Sequence, residues 1–423
     1  MTRVLWFSLS PCGSMRKNCS MKVTQGWMIS LEDEIKKDPS ISLSVAYYCE
    51  DERIDFEYEG VHYYPMSIRY GTNKLQRLRH RLLNSSLLDK ILLKQLLHVV
   101  ELVKPNIIHI CGTESNFGLI SQYINVPIVY SIQGLIAPYK EKFFSGLPCS
   151  FVLKHDSLKN WLLGNSIRAK YTKFSYEANR EIGFLKDANY IIGRTEWDYN
   201  VTHLFNSKIQ YFCVNEILRE DFYNNQWSKD SFSHKLRFVS IVSPGIYKGF
   251  ETLLHSAALL CKLGNISFTW NVIGLSSDDK YVTLCERYKR LKSNSCCVSL
   301  LGKKDAHEIV EILKESDVFC HTGHIENSPN SVCEAMMMGM PIIATYSGGT
   351  CSMLEHGKEG YLVQDGDPYS LAGAILNIIG NFDKAKEMGI NARNRAMIRH
   401  NKNRIVESLI ESYIQIIKAH KNA

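Results

Sequence analysis

The sequence lacks the short motifs that mark several large enzyme classes. It contains no P-loop, no G-x-G-x-x-G, no H-E-x-x-H and no G-x-S-x-G, which argues against NTPase, dehydrogenase, zinc-protease and serine-hydrolase chemistry. The thirteen cysteines are odd in number and scattered, without a C-x-x-C pair. A disulfide framework or a zinc site needs pairing or ligand spacing that is absent here, so a reducing cytosol fits best.

Long apolar runs and a strong charge of one sign are also absent. The run Val4–Leu9 is too short for a signal peptide, and no stretch approaches the roughly 20 apolar residues of a membrane span. The net charge of +7 on 423 residues is compatible with an anionic substrate or membrane surface, but it is too weak to indicate nucleic acid. We expect a cytoplasmic protein, with contact to the inner face of the membrane as an open alternative.

What the sequence does contain is an alternation of apolar strand patterns with amphipathic helix patterns along its whole length. This alternation predicts βαβ units and parallel sheets. The polar stretch Asn215–Lys235 is typical of a linker. We therefore predict an α/β fold of two Rossmann-like domains facing a cleft: residues 1–215, with the carboxyl-terminal helices of residues 395–423 packing back on them, and residues 216–394.

One stretch of the second domain, Gly323–Gly349, gathers the residues with the clearest chemistry. Val318–Cys320 reads as a buried strand, after which Glu326 lies in a polar turn and Glu334 just inside a helix. Ile342–Ala344 reads as the next strand. Open α/β sheets bind ligands at the carboxyl ends of their strands, so we expect both carboxylates at a ligand site.

The spacing Glu326-x7-Glu334 and the residues after it resemble the nucleotide-sugar site of family 4 retaining glycosyltransferases, the group 1 type with the GT-B fold. The residues after Glu334 that carry the resemblance are Ala335, Met336, Gly339, Pro341, Gly348 and Gly349. The resemblance covers Lys248 to Val363, little more than a quarter of the chain. Weaker similarities in the first domain lie at Ile107–Ser115, Ser131–Gly134 and Gly193–Asp198.

The resemblance implies a role for each residue of this stretch. Glu326 would contact hydroxyls of the donor sugar and Glu334 those of the ribose, since carboxylates accept hydrogen bonds from hydroxyls. The backbone amides of Asn330, Ser331 and Val332 would lie against the sugar and diphosphate at a helix start. A purely structural role is the alternative for Glu334, because Ser331-x-x-Glu334 also has the spacing of a helix capping box.

Lys248 and Gly249 follow the first strand of the second domain and resemble the family's Lys-Gly pair. The resemblance implies that Lys248 neutralises the leaving diphosphate, and the alternative is a solvated lysine at a helix start. Ser243 stands where the family often has an arginine, so one cationic contact is missing or comes from elsewhere.

The first domain departs further from the family pattern. His109 ends a strand, whereas Cys111 stands where many relatives have a second histidine. Gln133, before Gly134, stands where many have a histidine near the reacting sugar. A lone strand-end histidine is more often structural than catalytic, and Gln133 cannot act as a base. The retaining, front-face route implied by the family tolerates this, because the leaving phosphate takes the acceptor proton, whereas an inverting enzyme needs a protein base.

Four further first-domain residues are candidates for the acceptor or sugar side. Arg194, like Glu114, is a polar residue at a strand end, where it would bind an anionic acceptor group or form a salt bridge at the domain interface. Gly26, or Gly13 before it, would let the backbone approach the diphosphate or acceptor.

Two further features of the sequence concern membrane contact and metal binding. The region Lys74–Lys104 is Leu-rich with basic residues such as Arg77, Arg79 and Arg81, which is compatible either with peripheral membrane contact or with packing on the sheet. The triplet Asp365–Gly366–Asp367 precedes Pro368, and helix capping explains it at least as well as metal binding. We expect no essential metal and no cofactor.

Together these features predict a retaining glycosyltransferase. It would move a sugar from a nucleotide-diphosphate sugar to a hydroxyl of a glycan or polyprenyl-linked glycan, in surface polysaccharide biosynthesis. The alternatives are a non-catalytic nucleotide-sugar-binding protein and a sugar-nucleotide epimerase on the same fold.

Overall fold

The chain forms two compact units. The computed structural model describes residues 1–17, 26–49, 54–68, 85–156 and 166–422. The first unit consists of Met1–Lys140, Ser157–Ile217 and Asn401–Ala423, and the second of Glu141–Asp156 and Leu218–His400. The main boundaries lie within a few residues of the predicted ones. The segment Glu141–Asp156 differs, because sequence reasoning placed it in the first domain and it belongs to the second unit.

The sheet of the first unit has eight strands in the order β3-β4-β2-β1-β5-β6-β7-β8. All neighbours pair in parallel except β3 and β4. The strands are β1 (Thr2–Ser8), β2 (Ile41–Cys49), β3 (Phe56–Tyr58), β4 (Val61–Ser67), β5 (Ile107–Cys111), β6 (Ile128–Ser131), β7 (Tyr190–Gly193) and β8 (Gln210–Cys213).

The sheet of the second unit is entirely parallel and has the order β11-β10-β9-β12-β13-β14. Its strands are β9 (Leu236–Ile241), β10 (Phe268–Ile273), β11 (Val298–Gly302), β12 (Val318–His321), β13 (Ile342–Thr345) and β14 (Tyr361–Val363). The strand order reverses between β9 and β12, which is the position where doubly wound sheets bind ligands. Two Rossmann-like parallel-sheet units, as predicted, are confirmed.

The α-helices of the described residues alternate with these strands. They are α1 (Trp27–Ile35), α2 (Ser85–Val103), α3 (Ile136–Glu141), α4 (Cys149–Lys154), α5 (Ile167–Asp187), α6 (Glu196–Phe205), α7 (Glu220–Tyr223), α8 (Phe250–Leu263), α9 (Lys280–Lys289), α10 (Ala306–Glu315), α11 (Asn330–Met338), α12 (Pro368–Ile379), α13 (Phe382–Arg399) and α14 (Lys402–Lys421).

Capping residues define several helix ends in the second unit. Asp305 and Glu308 form a reciprocal capping box at the start of α10. Asp367 accepts hydrogen bonds from two amides of α12, whose first residue is Pro368. The predicted capping role of the Asp365–Asp367 triplet is therefore confirmed for Asp367. Helix α11 ends at Gly339, which has a left-handed φ of 75° that few other residues adopt readily.

The predicted linker is mostly part of the folded second unit. It contains α7, and Leu218, Phe222 and Trp227 are buried in the hydrophobic core that also holds the methionines of α11. The indole N–H of Trp227 donates to the Ser316 carbonyl at 2.7 Å. Sequence reasoning was misled by the polar residues that separate these three apolar anchors.

The final two helices belong to different units. Helix α13 stays in the second unit, whereas α14 belongs to the first. The Tyr413 hydroxyl of α14 accepts a hydrogen bond from Trp6 Nε1 at 3.0 Å and lies 2.6 Å from His109 Nδ1. The predicted return of the carboxyl terminus to the first domain thus holds for α14 and not for α13.

The predicted basic amphipathic region is only partly described. Arg77, Arg79 and Arg81 lie outside the described residues. The part that forms α2 buries Leu96, Val99 and Val100 in a core of the first unit, as the packing alternative requires. In the described parts of the chain, no helix combines the length and the apolar character that crossing a membrane requires.

Candidate functional site

The candidate site lies at the switch point of the second sheet. Lys248 ends a short 3-10 helix that follows β9, and Glu326 follows β12. The two strands are neighbours in the sheet, so their following loops meet at one edge. The Lys248 ammonium lies 2.5 Å from the Glu326 carboxylate.

The Lys248–Glu326 ion pair is mostly shielded from solvent. The side chains are 21% and 15% exposed, respectively. Burial disfavours the ammonium form, but the Glu326 carboxylate outweighs burial and raises the pKa of Lys248 above its usual value. Lys248 is therefore cationic at neutral pH, and its ammonium has three donors, of which Glu326 uses one.

Two glycines allow the backbone to approach closely around this pair. Gly249 has φ +76°, and a Cβ there would lie 1.7 Å from the carbonyl oxygen of Thr322. Gly348 has φ +53°, and a Cβ there would lie 2.0 Å from the Glu326 carbonyl oxygen. The Gly349 N–H donates to that same oxygen at 2.8 Å. A side chain at Gly348 would therefore clash with the backbone of Glu326, and one at Gly249, next to Lys248, would clash with the backbone of Thr322.

Glu334 forms a second ion pair, with a partner that sequence reasoning missed. Arg219 donates through Nε and Nη2 to the two carboxylate oxygens of Glu334, both at 2.8 Å. The side chains are 14% and 6% exposed. Burial raises the pKa of Glu334 to about 7, although Arg219 opposes this rise. Arg219 lies in the predicted linker, where no motif distinguished it.

The capping-box alternative for Glu334 is wrong. Helix α11 begins after Pro329 as its cap residue, without a side-chain capping bond, and Ser331 is its second residue. The Glu334 carboxylate points to Arg219 instead of the helix start.

Asn330, Ser331 and Val332, whose backbone amides the resemblance assigns to the donor, form the first turn of α11. Asn330 is exposed and Ser331 half-buried, whereas Val332 is buried and its N–H donates to the Pro329 carbonyl at 2.9 Å. The amides of Asn330 and Ser331 lie at the positive end of the helix dipole, which favours anions. Ser243, after β9, is exposed.

His109, predicted to end a strand, is instead the middle residue of β5, because β5 continues to Cys111, and Gln133 lies two residues after β6. His109 is 2% exposed, and burial lowers its pKa to about 3, with the charge of Arg194 adding to this. The imidazole is therefore neutral and takes part in the contact to Tyr413. The Gln133 amide donates to the Cys111 carbonyl at 3.1 Å.

Arg194 is engaged within the first unit. Its guanidinium lies 4.1 Å from the Trp27 ring centroid and 3.5 Å from Glu216, and the residue is 5% exposed. The proposed domain-interface salt bridge is thus a salt bridge inside one unit. Gly26 precedes α1 with an extended backbone (φ −110°), and no atom of the described residues lies within 4 Å of a Cβ placed there. Its local structure does not require glycine.

Gly134 and Glu114 complete the first-unit candidates. The Gly134 carbonyl accepts a hydrogen bond from Thr113 at 3.5 Å, and a Cβ at Gly134 would lie 3.1 Å from the Tyr139 hydroxyl. Burial raises the pKa of Glu114 to about 7. Its buried Oε2 has no hydrogen-bond partner among the described residues, so Glu114 has the properties of a proton acceptor at neutral pH.

Comparison with solved structures identifies the architecture. The chain superposes on sucrose-phosphate synthase from Thermosynechococcus elongatus with a TM-score of 0.72 at 15% identity, covering 99% of this chain and 100% of that one. Anabaena HepE in complex with UDP and glucose gives a TM-score of 0.64 at 16% identity, covering 97% and 99%. The two units therefore have the fold of GT-B glycosyltransferases, as the resemblance implied.

Sequence comparison finds a family match within the second unit. Residues 221–395 match the family described as glycosyl transferases group 1. Amylovoran biosynthesis glycosyltransferase AmsK of Erwinia amylovora is 26% identical over 156 residues, which is 36% of this chain and only 37% of AmsK. The matched region, which is less than half of the chain, contains Lys248, Glu326 and Glu334.

Proposed function

We propose that the protein is a retaining glycosyltransferase that transfers a sugar from a nucleotide-diphosphate sugar to a hydroxyl of a glycan or polyprenyl-linked glycan. The Lys248–Glu326 pair at the switch point of the second sheet is the observation that carries this proposal. AmsK, named for amylovoran biosynthesis, directs the acceptor proposal toward surface polysaccharide. The HepE complex directs the donor proposal toward a uridine diphosphate sugar.

The charges of the site match the parts of such a donor. Lys248 would use its remaining donors on the diphosphate, and the amides at the start of α11 would add to this electrostatic stabilisation. Glu326 would accept hydrogen bonds from sugar hydroxyls. Glu334, held by Arg219, would accept from the ribose hydroxyls through its remaining lone pairs.

The proposed reaction needs no protein base. The bond from the anomeric carbon to the diphosphate oxygen breaks, and the acceptor hydroxyl oxygen bonds to the same face of that carbon. The acceptor proton passes to the departing phosphate oxygen, whose negative charge Lys248 offsets. An inverting reaction would instead require a protein base.

Transfer is proposed to proceed without an essential divalent metal. Asp367 is engaged in capping α12, and Asp365 lies within 3.3 Å of both His324 and Lys142. Lys248 supplies a cation for the diphosphate. Activity that persists at full rate in excess EDTA would support this proposal, and activity restored only by Mg²⁺ or Mn²⁺ would contradict it.

The location proposed is the cytoplasm, with the enzyme reaching lipid-linked acceptors at the inner face of the membrane. Binding to vesicles that contain anionic lipid, measured by sedimentation, tests this peripheral contact. Recovery of all protein in the supernatant would contradict it.

The test of activity begins with a screen of nucleotide sugars for thermal stabilisation, because a donor that binds the folded state raises its apparent stability. The stabilising donor is then assayed for turnover with glycan acceptors. Glu326→Gln and Lys248→Met should each lower kcat by about 100-fold or more, as expected for loss of electrostatic stabilisation in the transition state.

A matched control pair lies on the same unit. Lys304 and Glu308 form an exposed ion pair, 2.9 Å apart, at the start of α10. Lys304→Met and Glu308→Gln should leave turnover unchanged. Unchanged turnover in Glu326→Gln would refute the site assignment, and donor binding without turnover across a broad acceptor panel would favour a binding protein. Product of inverted configuration would refute the retaining route.

A further inference from the structure

His324 connects the two loops that carry Lys248 and Glu326. Its backbone N–H donates to the carbonyl of Tyr247, immediately before Lys248, at 2.9 Å. Its ring Nε2 lies 2.7 Å from a carboxylate oxygen of Glu251, in the first turn of α8. His324 is thus bonded on both sides of Lys248 and stands two residues before Glu326.

The surroundings of the ring fix its charge. Its Nδ1 lies 3.3 Å from Asp365 Oδ2, while Nε2 faces Glu251. Carboxylates only accept hydrogen bonds, so both ring nitrogens donate and His324 is an imidazolium. Burial opposes this charge, but Asp365 and Glu251 outweigh burial and raise the pKa of His324 to about 9.

The two carboxylates have further partners on other elements. Glu251 accepts hydrogen bonds from Thr252 at 2.8 Å and from the Tyr281 hydroxyl of α9 at 3.3 Å. Lys142 lies 3.3 Å from Asp365. Among the described residues, the charged partners of this cluster are Glu251, Asp365 and Lys142, so that two carboxylates face the imidazolium and one ammonium.

The 141–156 segment covers this cluster. Besides Lys142 on Asp365, it places Gly146 (φ +86°) where a Cβ would lie 2.3 Å from Glu251 Oε1 and 2.8 Å from His324 Nε2. The Phe143 ring centroid lies 6.4 Å from that of Tyr247. The segment thus contacts the supports of both Lys248 and Glu326.

Contacts at the far end of the segment hold it on the second unit. The Phe151 and Tyr288 ring centroids are 5.0 Å apart, and Asp156 forms an ion pair with Lys280 of α9. The segment is therefore anchored at both of its ends, by Lys142 and by Asp156.

We propose that His324 is a positioning residue for the Lys248–Glu326 pair and that the 141–156 segment holds His324 in that role. The functional part of this proposal rests on the proposed glycosyl transfer, whereas the structural coupling does not. Without the imidazolium, Glu251 and Asp365 face each other across a vacant position, and the loop of Lys248 loses its link to the loop of Glu326. A displacement of about 1 Å in such a pair is enough to slow a reaction about 100-fold.

Three variants separate the parts of the proposal. His324→Ala removes both ring contacts. His324→Gln keeps a donor that reaches Glu251 but loses the charge and the Asp365 contact. Lys142→Met changes only the segment, at a side chain that is 44% exposed, so this variant is expected to fold. The matched controls are His307→Gln, at an exposed histidine of α10, and Lys304→Met.

The first readout is hydrogen–deuterium exchange of residues 243–249 in the free protein. We expect exchange to accelerate by about tenfold in His324→Ala and less in His324→Gln and Lys142→Met, with no change in the controls. The second readout is steady-state turnover of the donor found in the thermal screen. We expect kcat to fall about 100-fold in His324→Ala and about tenfold in His324→Gln, with KM within about threefold of the parent.

The outcomes decide separately on the two proposals. Faster exchange at 243–249 in a chain without transferase activity would support the coupling while refuting the proposed function. Parent-like exchange at 243–249 in His324→Ala would overturn the positioning role, whatever happens to turnover. If His324→Ala does not fold, Lys142→Met decides: unchanged exchange in both 243–249 and 142–147 would overturn the role of the segment.

Discussion

Replacing Arg219 by Met should make the stability of the second unit depend on pH in a new range. Arg219 binds both oxygens of Glu334, and the two side chains are only 14% and 6% exposed. Removing one partner of such a buried pair typically costs about 3–5 kcal/mol, because it leaves a buried charge without compensation. Glu334 can reduce this cost by taking up a proton, so the cost grows with pH.

The pKa of Glu334 sets the pH window. Burial raises this pKa to about 7 from 4.5 in the unfolded chain, even with Arg219 present. In the parent protein, the free energy of unfolding therefore decreases as the pH rises from 4.5 to 7, because in this range only the folded state holds the proton on Glu334. Above pH 7 both states have lost it. In Arg219→Met the folded pKa rises further, so the decline should continue above pH 7 at about 1.4 kcal/mol per pH unit, up to about 3–5 kcal/mol.

The assay is urea unfolding at pH 6, 7, 8 and 9, with pulse proteolysis and fragment masses reporting the second unit separately from the first. The destabilisation by Arg219→Met should be about 1.4 kcal/mol larger at pH 8 than at pH 6. In the Glu334→Gln background the same change should show no dependence on pH. Arg237→Met, which breaks an exposed pair with Glu315, should cost less than about 1 kcal/mol at every pH. A destabilisation by Arg219→Met that is constant from pH 6 to 9 would refute the reasoning.

Three further predictions concern thermal or urea unfolding. Gly249→Ala should lower the free energy of unfolding by about 3 kcal/mol or more, because its Cβ would lie 1.7 Å from a backbone oxygen. The control Gly264→Ala also has a positive φ, +70°, but no described atom lies near its Cβ, so it should lower the free energy of unfolding by only about 1–2 kcal/mol. Equal losses in the two variants would contradict the steric argument. The pKa of His324 is raised to about 9, so His324 should add about 3 kcal/mol to the free energy of unfolding. This contribution should be complete below pH 6.5 and lost as pH rises through 9. If the free energies of unfolding of the parent protein and of His324→Gln change in parallel with pH, this prediction is wrong. Tyr413→Phe should lower the free energy of unfolding by about 1–3 kcal/mol, because it leaves the buried polar groups of Trp6 and His109 without their partner. The control Tyr369→Phe, at a 67% exposed position, should leave the free energy of unfolding unchanged. An unchanged value in Tyr413→Phe would show that these hydrogen bonds add nothing to stability.

The parts of the fold that could be predicted from sequence are those with a local signal. Helix α10 (Ala306–Glu315) has a capping box and regular apolar spacing. The buried strands β12 and β13 carry short apolar runs between turn residues. The edge strand β3 (Phe56–Tyr58) is short and only partly buried, so its residues lack a clear pattern.

The site residues that lie in one sequence motif could be predicted, whereas their partners from distant parts of the sequence could not. Glu326 and Glu334 share a single stretch, and Lys248 ends a short 3-10 helix that follows a strand. The residues that hold them are remote in sequence: Arg219 is 115 residues from Glu334, and Lys142 is 223 residues from Asp365. A single sequence carries no local signal for such pairs, since nothing near an isolated arginine or lysine identifies its partner.

The 141–156 segment belongs to the second unit but lies between two parts of the first unit in the sequence. This arrangement affects the order in which contacts can form during synthesis of the chain. This segment is synthesised well before Leu218–His400, the rest of the unit to which it belongs. It must therefore wait, after emerging from the ribosome, while the intervening part of the first unit is made, and contacts of such long sequence separation form slowly. A fragment cut at the family boundaries, residues 221–395, would never receive the segment. Such a fragment would contain Lys248 and Glu326 but would leave the cluster around His324 open to water.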